Sequence, residues 1–355
     1  MESQQLVRVL VTGGTGLVGS NIREVVENLK NQVKPSENQE QQPITIISVD
    51  EAATILQEKQ DNASLDQFLS AHAHNHEYIY LSSKDCNLIN IEEVNQTFEK
   101  YQPTYVIHLA AKVGGLYANM NAKVQFFEDN LLINMNIIKC SHKFGVKRLI
   151  CVLSTCVFPD RVSYPIQESD LHQGAPHHSN EGYAFAKRMC SVQCQLYNEQ
   201  YGTDFQCVIP TNIYGKYDQY NESSSHLVPA LVRKAHFARE ENKEFVVLGT
   251  GAPLRQFCYA PDLAKLLLWT LYRKETLPLI ALVPEEEYTI KEVAETIAEL
   301  SGVQDIVYDT SKSDGQYKKT MGNQLFRSQF KNFKFTELRE GLKITIDNFK
   351  NEKRL

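Results

Sequence analysis

The sequence predicts a doubly wound parallel α/β sheet followed by a smaller α/β lobe, and three observations carry that expectation. Apolar strand-like runs alternate with amphipathic helical runs through the first two-thirds of the chain, the pattern of a parallel sheet wrapped by helices. A glycine-rich turn, Gly13, Gly14, Thr15, Gly16, Leu17, Val18 and Gly19, follows the apolar run 7–11 and opens a helical run over 17–26. Beyond about residue 214 the alternation loosens into mixed helices and short strands. The expected division is a Rossmann-type domain over 1–213 and a smaller, mainly substrate-binding lobe over 214–355. A helix at about 261–272 is expected to return and pack on the first domain, with Trp269, the only tryptophan, as a packing residue.

The elements follow in order. Glycines allow the first turn to be tight and let a ligand approach the backbone, while the helix that follows offers amide donors to a pyrophosphate. The spacing between the glycines is closer to a short-chain dehydrogenase turn than to Gly-x-Gly-x-x-Gly. Two candidates exist for the second strand. Residues 44–50 would put Asp50 on an adenosine ribose. Residues 78–84 would instead make about 31–77 an irregular insertion, with 31–42 a polar, disordered loop. The second reading is preferred; it brings Ser82, Ser83 and Lys84 near a ribose 2′ position, which suits a 2′-phosphate and so NADP(H). A helix over 91–101, a strand over 104–109, a long helix over about 122–144 and a strand over 148–153 come next. The helix bearing Tyr183 and a strand over 205–209 complete the series. In such sheets ligands bind beyond the carboxyl ends of the strands, where Gly13, Ala110, Ala111, Ser154, Pro210, Thr211 and Asn212 fall.

With 355 residues, 42% of them hydrophobic and 23% charged, the chain is long enough for a full core. A net charge of −6 disfavours nucleic acid as a partner. No apolar run reaches membrane-spanning length and residues 1–5 carry no signal peptide. The eight cysteines, at 86, 140, 151, 156, 190, 194, 207 and 258, form no Cys-x-x-Cys pair, so neither a zinc site nor a disulfide framework is expected. Together these features describe a soluble cytosolic protein.

Tyr183 and Lys187 stand four residues apart, on one face of a helix. There the lysine charge can lower the phenol pKa, normally about 10, and reach a bound ribose. A tyrosine so tuned can pass a proton to or from a carbonyl oxygen while a nicotinamide exchanges a hydride with its carbon. Read alone, the pair is more often a solvated helix face, Cys156 a buried packing cysteine, His226 a capping or surface histidine and Lys234 a solvated helix residue, while Ala110 with Ala111 is equally simple close packing.

The runs at 11–19, 82–85, 108–116, 153–159, 183–187, 210–215, 226–229, 249–257 and 312–315 change those weights. Together they resemble the extended short-chain dehydrogenases/reductases. Within these, residues 113–115, 154–156 and the His226 segment resemble the epimerase-reductases that make GDP-L-fucose from GDP-4-keto-6-deoxy-D-mannose. The resemblance spans nearly the whole chain outside about 30–77. It implies a bifunctional 3,5-epimerase and NADPH-dependent 4-reductase, a GDP-sugar substrate, and a homodimer formed through the long helices near residues 122 and 183. Cys156 and His226 match the epimerisation pair, taken as base and acid. Ser154 and Tyr183 would serve the C4 oxygen and Lys187 the nicotinamide ribose.

Cofactor contacts are implied at Gly13, Gly14, Thr15, Gly16, Leu17, Val18, Gly19, Lys84, Ala110, Ala111, Lys187, Pro210, Thr211, Asn212 and Ile213. Substrate contacts are implied at His226, Lys234, Leu248, Arg255 and Asp314. Leu248 departs from the pattern, since relatives carry a tryptophan there that can stack. A 4,6-dehydratase would carry an acid-base carboxylate pair where this chain has Thr155 and Cys156, a UDP-sugar 4-epimerase needs no cysteine-histidine pair, and a non-catalytic sensor commonly loses the tyrosine-lysine pair that is intact here.

Overall fold

The computed structural model describes residues 6–31, 48–222 and 225–351. In chain order the first part contains β1 (Val7–Thr12), α1 (Leu17–Asn31), α2 (Val49–Lys59), α3 (Asn62–Ala73), β2 (His76–Leu81), α4 (Ile91–Tyr101) and β3 (Tyr105–His108). Then come α5 (Leu116–Asn121), α6 (Lys123–Lys143), β4 (Arg148–Val152), α7 (Glu181–Tyr201), β5 (Phe205–Ile209) and β6 (Asn212–Tyr214). The remainder holds α8 (Leu227–Glu240), β7 (Phe245–Leu248), β8 (Leu254–Arg255), β9 (Phe257–Tyr259), α9 (Ala260–Tyr272), β10 (Leu279–Ala281) and β11 (Tyr288–Thr289). It closes with α10 (Ile290–Ser301), β12 (Ile306–Asp309), α11 (Gln324–Gln329) and α12 (Leu338–Asn351). No described helix is long and apolar enough to cross a membrane.

Among the described residues the main sheet has six strands in the order β10-β5-β4-β3-β1-β2, every pair parallel. Every residue of β4 and β5 is buried, as expected of parallel strands covered on both faces. On one face Ile22, Val25, Val26 and Leu29 of α1 meet Leu263 and Leu267 of α9 and Phe68 of α3. Their spacing is helical, and burying each such side chain contributes about 1.5–3 kcal/mol. The other face is closed by α4, α6 and α7 through Phe98, Ile137, Cys190 and Cys194. A separate cluster, including Leu231, Phe245, Ile297 and Leu342, joins α8, β7, α10 and α12. The strand order departs in opposite directions from β1, toward β2 and toward β3, which leaves a crevice at their carboxyl ends.

The preferred second strand is found: residues 76–81 pair with β1 in register from Val7↔His76 to Thr12↔Leu81. The irregular insertion over 31–77 needs correction. Residues 49–59 and 62–73 are helical, the first capped by Ser48 and the second by a capping box between Asp61 and Ser64. Leu56, Leu65, Phe68 and Leu69 are buried beneath them. Asp50 lies in the first turn of α2 rather than on a strand, while 44–47 and 32–42 fall outside the described residues. The helix expected at 261–272 packs on α1, and Trp269 is buried against Phe326 and Phe330. The short strand β10 also returns, completing the main sheet beside β5; three residues carry no readable period.

Candidate active site

The first turn is built by contact. Gly13 has φ +69°, and a Cβ there would come to 3.0 Å from the Ala110 backbone nitrogen. A Cβ on Gly14 would meet the Tyr80 side chain at 2.6 Å, so the loop lies directly on the ends of β2 and β3. The Gly16 amide bonds Gly13 O at 3.0 Å. The amides of Leu17, Val18 and Gly19 open α1 without intrahelical acceptors, and the first turn holds no acidic side chain. That cradle fits the pyrophosphate of a dinucleotide. Thr15 is exposed beside it, and Ala110 and Ala111 are half-buried at the end of β3. Lys84 is exposed in the turn after β2; its amide bonds Ser82 Oγ, which itself donates to Asp85 Oδ2 at 2.6 Å. At the end of β5, Pro210 is buried and Ile213 half-buried, while Thr211 Oγ1 and Asn212 Nδ2 both donate to Gln256 O at 2.8 Å.

A buried polar chain underlies this crevice. The Ala110 amide donates to Thr12 Oγ1, 2.8 Å from His108 Nδ1, and His108 Nε2 lies 3.0 Å from Asn134 Oδ1. Asn134 turns its amide oxygen, an acceptor, toward Nε2, so the neutral imidazole carries its proton on Nε2 and the Thr12 hydroxyl donates to Nδ1. Asn134 Nδ2 then donates to Ala186 O on α7. Burial, and next the Lys187 charge, push His108 down to about 4, so it stays neutral. Sequence reading missed this network, although His108 stands inside the run at 108–116 that signals the fold.

Four of the sequence-predicted residues gather at the carboxyl end of β4. Ser154 starts a short 3-10 turn over Thr155–Val157, its Oγ 3.4 Å from the Cys156 amide that donates to it. Lys187 is buried and its ammonium donates to Val152 O at 2.9 Å. Arg188 donates from Nε to Val157 O at 2.9 Å and from Nη1 to Gly174 O, fixing the loop that carries Cys156. Tyr183 differs from expectation. Burial pushes its phenol up, with Cys156 and Cys190 adding to the effect, and no lowering by Lys187 offsets them. The phenol is therefore held protonated, the form that donates. Burial also pushes the Cys156 thiol up, opposed by the Ser154 hydroxyl and by the charges of Lys319 and Lys187. Lys319 is a site residue that sequence reading missed, because a lysine beside Lys318 carries no signal.

His226 stands at the N-cap position of α8 without a capping hydrogen bond from its side chain. Its side chain reaches solvent, yet the surrounding protein lowers its pKa by desolvation. No described contact joins it to Cys156. In the adjacent lobe Lys234 Nζ donates to Val246 O at 3.2 Å, and Leu248 is exposed at the end of β7. The Arg255 guanidinium donates to three carbonyls, Leu254 O, Gln316 O and Tyr317 O. Asp314 accepts from the Thr250 amide at 2.6 Å and from its hydroxyl at 2.7 Å. Among the described residues neither Arg255 nor Lys319 has a carboxylate partner. Two half-buried cations close enough to act on one another, without ion-paired carboxylates, suit an anionic ligand.

A parallel sheet with a glycine cradle at its switch point, and a serine, tyrosine and lysine converging at the next strand end, defines a nucleotide-dependent dehydrogenase-like enzyme of the extended short-chain type. The model of the NAD dependent epimerase/dehydratase family matches residues 9–279, and the chain belongs to that family. It is similar to the GDP-L-fucose synthase of Dictyostelium discoideum, 41% identical over 353 residues that cover 98% of this chain and 97% of that protein. The probable GDP-L-fucose synthase of Drosophila melanogaster is 38% identical over 349 residues, 96% of each chain. Among solved structures, the GDP-L-fucose synthetase of Naegleria fowleri bound to NADP matches with a TM-score of 0.81 and 39% identity, covering 98% of this chain and 94% of that one.

Proposed function

We propose that this chain is a GDP-L-fucose synthase, an NADPH-dependent enzyme that epimerises GDP-4-keto-6-deoxy-D-mannose at C3 and C5 and reduces it at C4. The observation that carries the reading is the meeting of Cys156 with Ser154, Tyr183 and Lys187 at one strand end, in a chain whose relatives of that name match along its whole length.

The C4 ketone acidifies the protons on C3 and C5, and inversion needs a base on one face and an acid on the other. Cys156, drawn toward thiolate by Lys319, is the base; His226 is the acid. Ser154 and Tyr183 donate to the C4 oxygen as negative charge gathers there. NADPH, when bound, supplies the hydride for C4. Tyr183, held protonated by burial, then gives its proton to the same oxygen, so one oxygen site serves both half-reactions. Lys187, anchored on Val152 O, holds the nicotinamide ribose. The glycine cradle takes the pyrophosphate, and Pro210, Thr211, Asn212 and Ile213 flank the nicotinamide. Lys84 is the cation for the 2′-phosphate. Arg255 and Lys234 take the diphosphate of the substrate, Asp314 orders the Gly249–Gly251 turn beside it, and Leu248 offers an aliphatic surface where a stacking ring would stand.

The same reading divides the chain into an NADP-binding part over 1–213 and a mainly substrate-binding part over 214–355. It places the protein in the cytosol as a homodimer.

The test is incubation of the purified protein with GDP-4-keto-6-deoxy-D-mannose in heavy water, with and without NADPH, followed by NMR. Deuterium at C3 and C5, with GDP-L-fucose formed only when NADPH is present, is the expected result. NADPH oxidation without exchange would reduce the assignment to a ketosugar reductase and remove Cys156 and His226 from it.

A further inference from the structure

Four cysteines far apart in the sequence converge between the sheet and α7. Cys151 on β4 and Cys207 on β5 are direct partners in the parallel register. Cys190 and Cys194 stand four residues apart on α7, on one helical face. All four are buried, free thiols. The sulfurs of Cys151, Cys190 and Cys194 lie within 4.8 Å of one another, with 3.9 Å between Cys194 Sγ and Cys151 Sγ. The Cys207 thiol interacts with all three.

A tetrahedral zinc with Zn–S bonds of about 2.3 Å requires sulfur–sulfur edges of about 3.8 Å. The Cys151–Cys194 pair already has that separation, the two Cys190 edges need to close by no more than about 1 Å, and Cys207, opposite Cys151 in the register, supplies the fourth sulfur from β5. The ligands come from two central strands and a long helix, elements that hold their positions without the metal. We propose that Cys151, Cys190, Cys194 and Cys207 form a structural zinc site that fastens α7 to the centre of the sheet. Binding releases the thiol protons to solvent and leaves a tetrathiolate with two net negative charges. The Lys187 ammonium, one turn along α7 from Cys190, lies on the side that offsets part of that charge. Tyr183 and Lys187 ride on the same helix, so the metal would fix the segment that carries them; the inference itself does not depend on the substrate assigned above.

The test is metal analysis of the full-length protein expressed in zinc-supplied medium, purified under reducing conditions and dialysed against a chelator. About one zinc per chain is expected. The double variant Cys151→Ser/Cys194→Ser should fall below about a tenth of that, while Cys86→Ala, at a buried cysteine outside the cluster, should keep it. Should the double variant not fold, wild-type protein unfolded, stripped and refolded with Co²⁺ decides the matter. A thiolate-to-cobalt charge-transfer band with the intense visible bands of tetrahedral coordination supports the site. Zinc below about a tenth per chain together with no such band would overturn it. So would zinc retained by a folded Cys151→Ser/Cys194→Ser variant, or a Cys151–Cys194 disulfide in the metal-free protein isolated without reductant.

Discussion

Two opposing influences act on Cys156: burial disfavours its thiolate, while Ser154, Lys319 and Lys187 favour it. Burial wins, so the thiol ionises at a higher pH than a free one. The active form of a base is the deprotonated one, so deuterium exchange into the substrate should rise with pH through that region. Replacing Lys319 by Met removes a positive charge and leaves a side chain of similar length. The pH profile of exchange should move upward by roughly 1 unit, with about a tenfold loss at neutral pH; an unmoved profile would show that Lys319 does not act on the thiol. Tyr183→Phe separates the two half-reactions. It keeps the ring and removes the proton, so NADPH oxidation should fall by about 10²–10⁴-fold while exchange at C3 and C5 persists above the Cys156→Ser background. Equal loss of both in Tyr183→Phe, with the ring still in place, would mean that the hydroxyl is needed for the enolate of epimerisation as much as for reduction, and would overturn the separation. Ser154, Cys156, Tyr183 and Lys187 were readable because a strand end and a helix face bring them together locally. Lys319 was not. Its place depends on the backbone bridges Ile166↔Met321 and Leu254↔Lys318, pairings made across long stretches of chain.

Helix α7 is the element through which packing reaches chemistry. Gly182, next to Tyr183, lies so close to Lys123 O at the start of α6 that a Cβ would enter its van der Waals shell. That neighbour is backbone and cannot swing away. Gly182→Ala should therefore cost about 1–3 kcal/mol in urea unfolding and displace the phenol, lowering turnover with bound NADPH saturating. Unchanged stability and turnover would refute so tight a contact. Helix α9 shows a second coupling, between its N-terminus and the C-terminal segment. Asp262 accepts from the Thr336 amide at 2.7 Å and its hydroxyl at 3.1 Å, while burial pushes its carboxyl up to about 6. A raised folded pKa means that the native state holds the proton more tightly than the unfolded chain. The wild type accordingly loses stability as pH rises from about 4 through about 6. Asp262→Asn keeps an acceptor and cannot ionise. Its stability relative to wild type should grow across that window by roughly 1–3 kcal/mol, read from urea midpoints in a pH series; parallel curves would sink the argument. The long helices and the parallel strands were legible because their apolar periods are strong. α2 and α3 were not. They lie beyond a polar stretch, and their identity rests on the caps Ser48 and Asp61 and on an apolar face that only the α1 and α9 layer reveals.

At the scale of the whole molecule, the outer face of the α6 and α7 pair is the least economical surface for a monomer. Val124 and Leu132 on α6, and Met189, Leu196 and Tyr201 on α7, are large hydrophobic side chains open to solvent, with Leu196 56% exposed. Met189 and Leu196 are seven residues apart, which aligns them on one helical stripe, and α6 and α7 lie side by side. A two-fold partner laying its own pair across this one would cover both stripes with the same residues, the self-complementary contact of a symmetric dimer. Such an interface would need to bury about 1,200–2,000 Å² in total to be stable, and two helices of 21 residues each offer the length for it. The proposed dimer therefore makes a specific prediction. Wild-type protein should sediment at twice the 40.5 kDa of the chain. Leu132→Glu/Leu196→Glu places four like charges in the shared face and should sediment at the single-chain mass, with its circular dichroism unchanged. A variant that stays dimeric would move the interface elsewhere, and a monomeric wild type would leave this stripe to another partner.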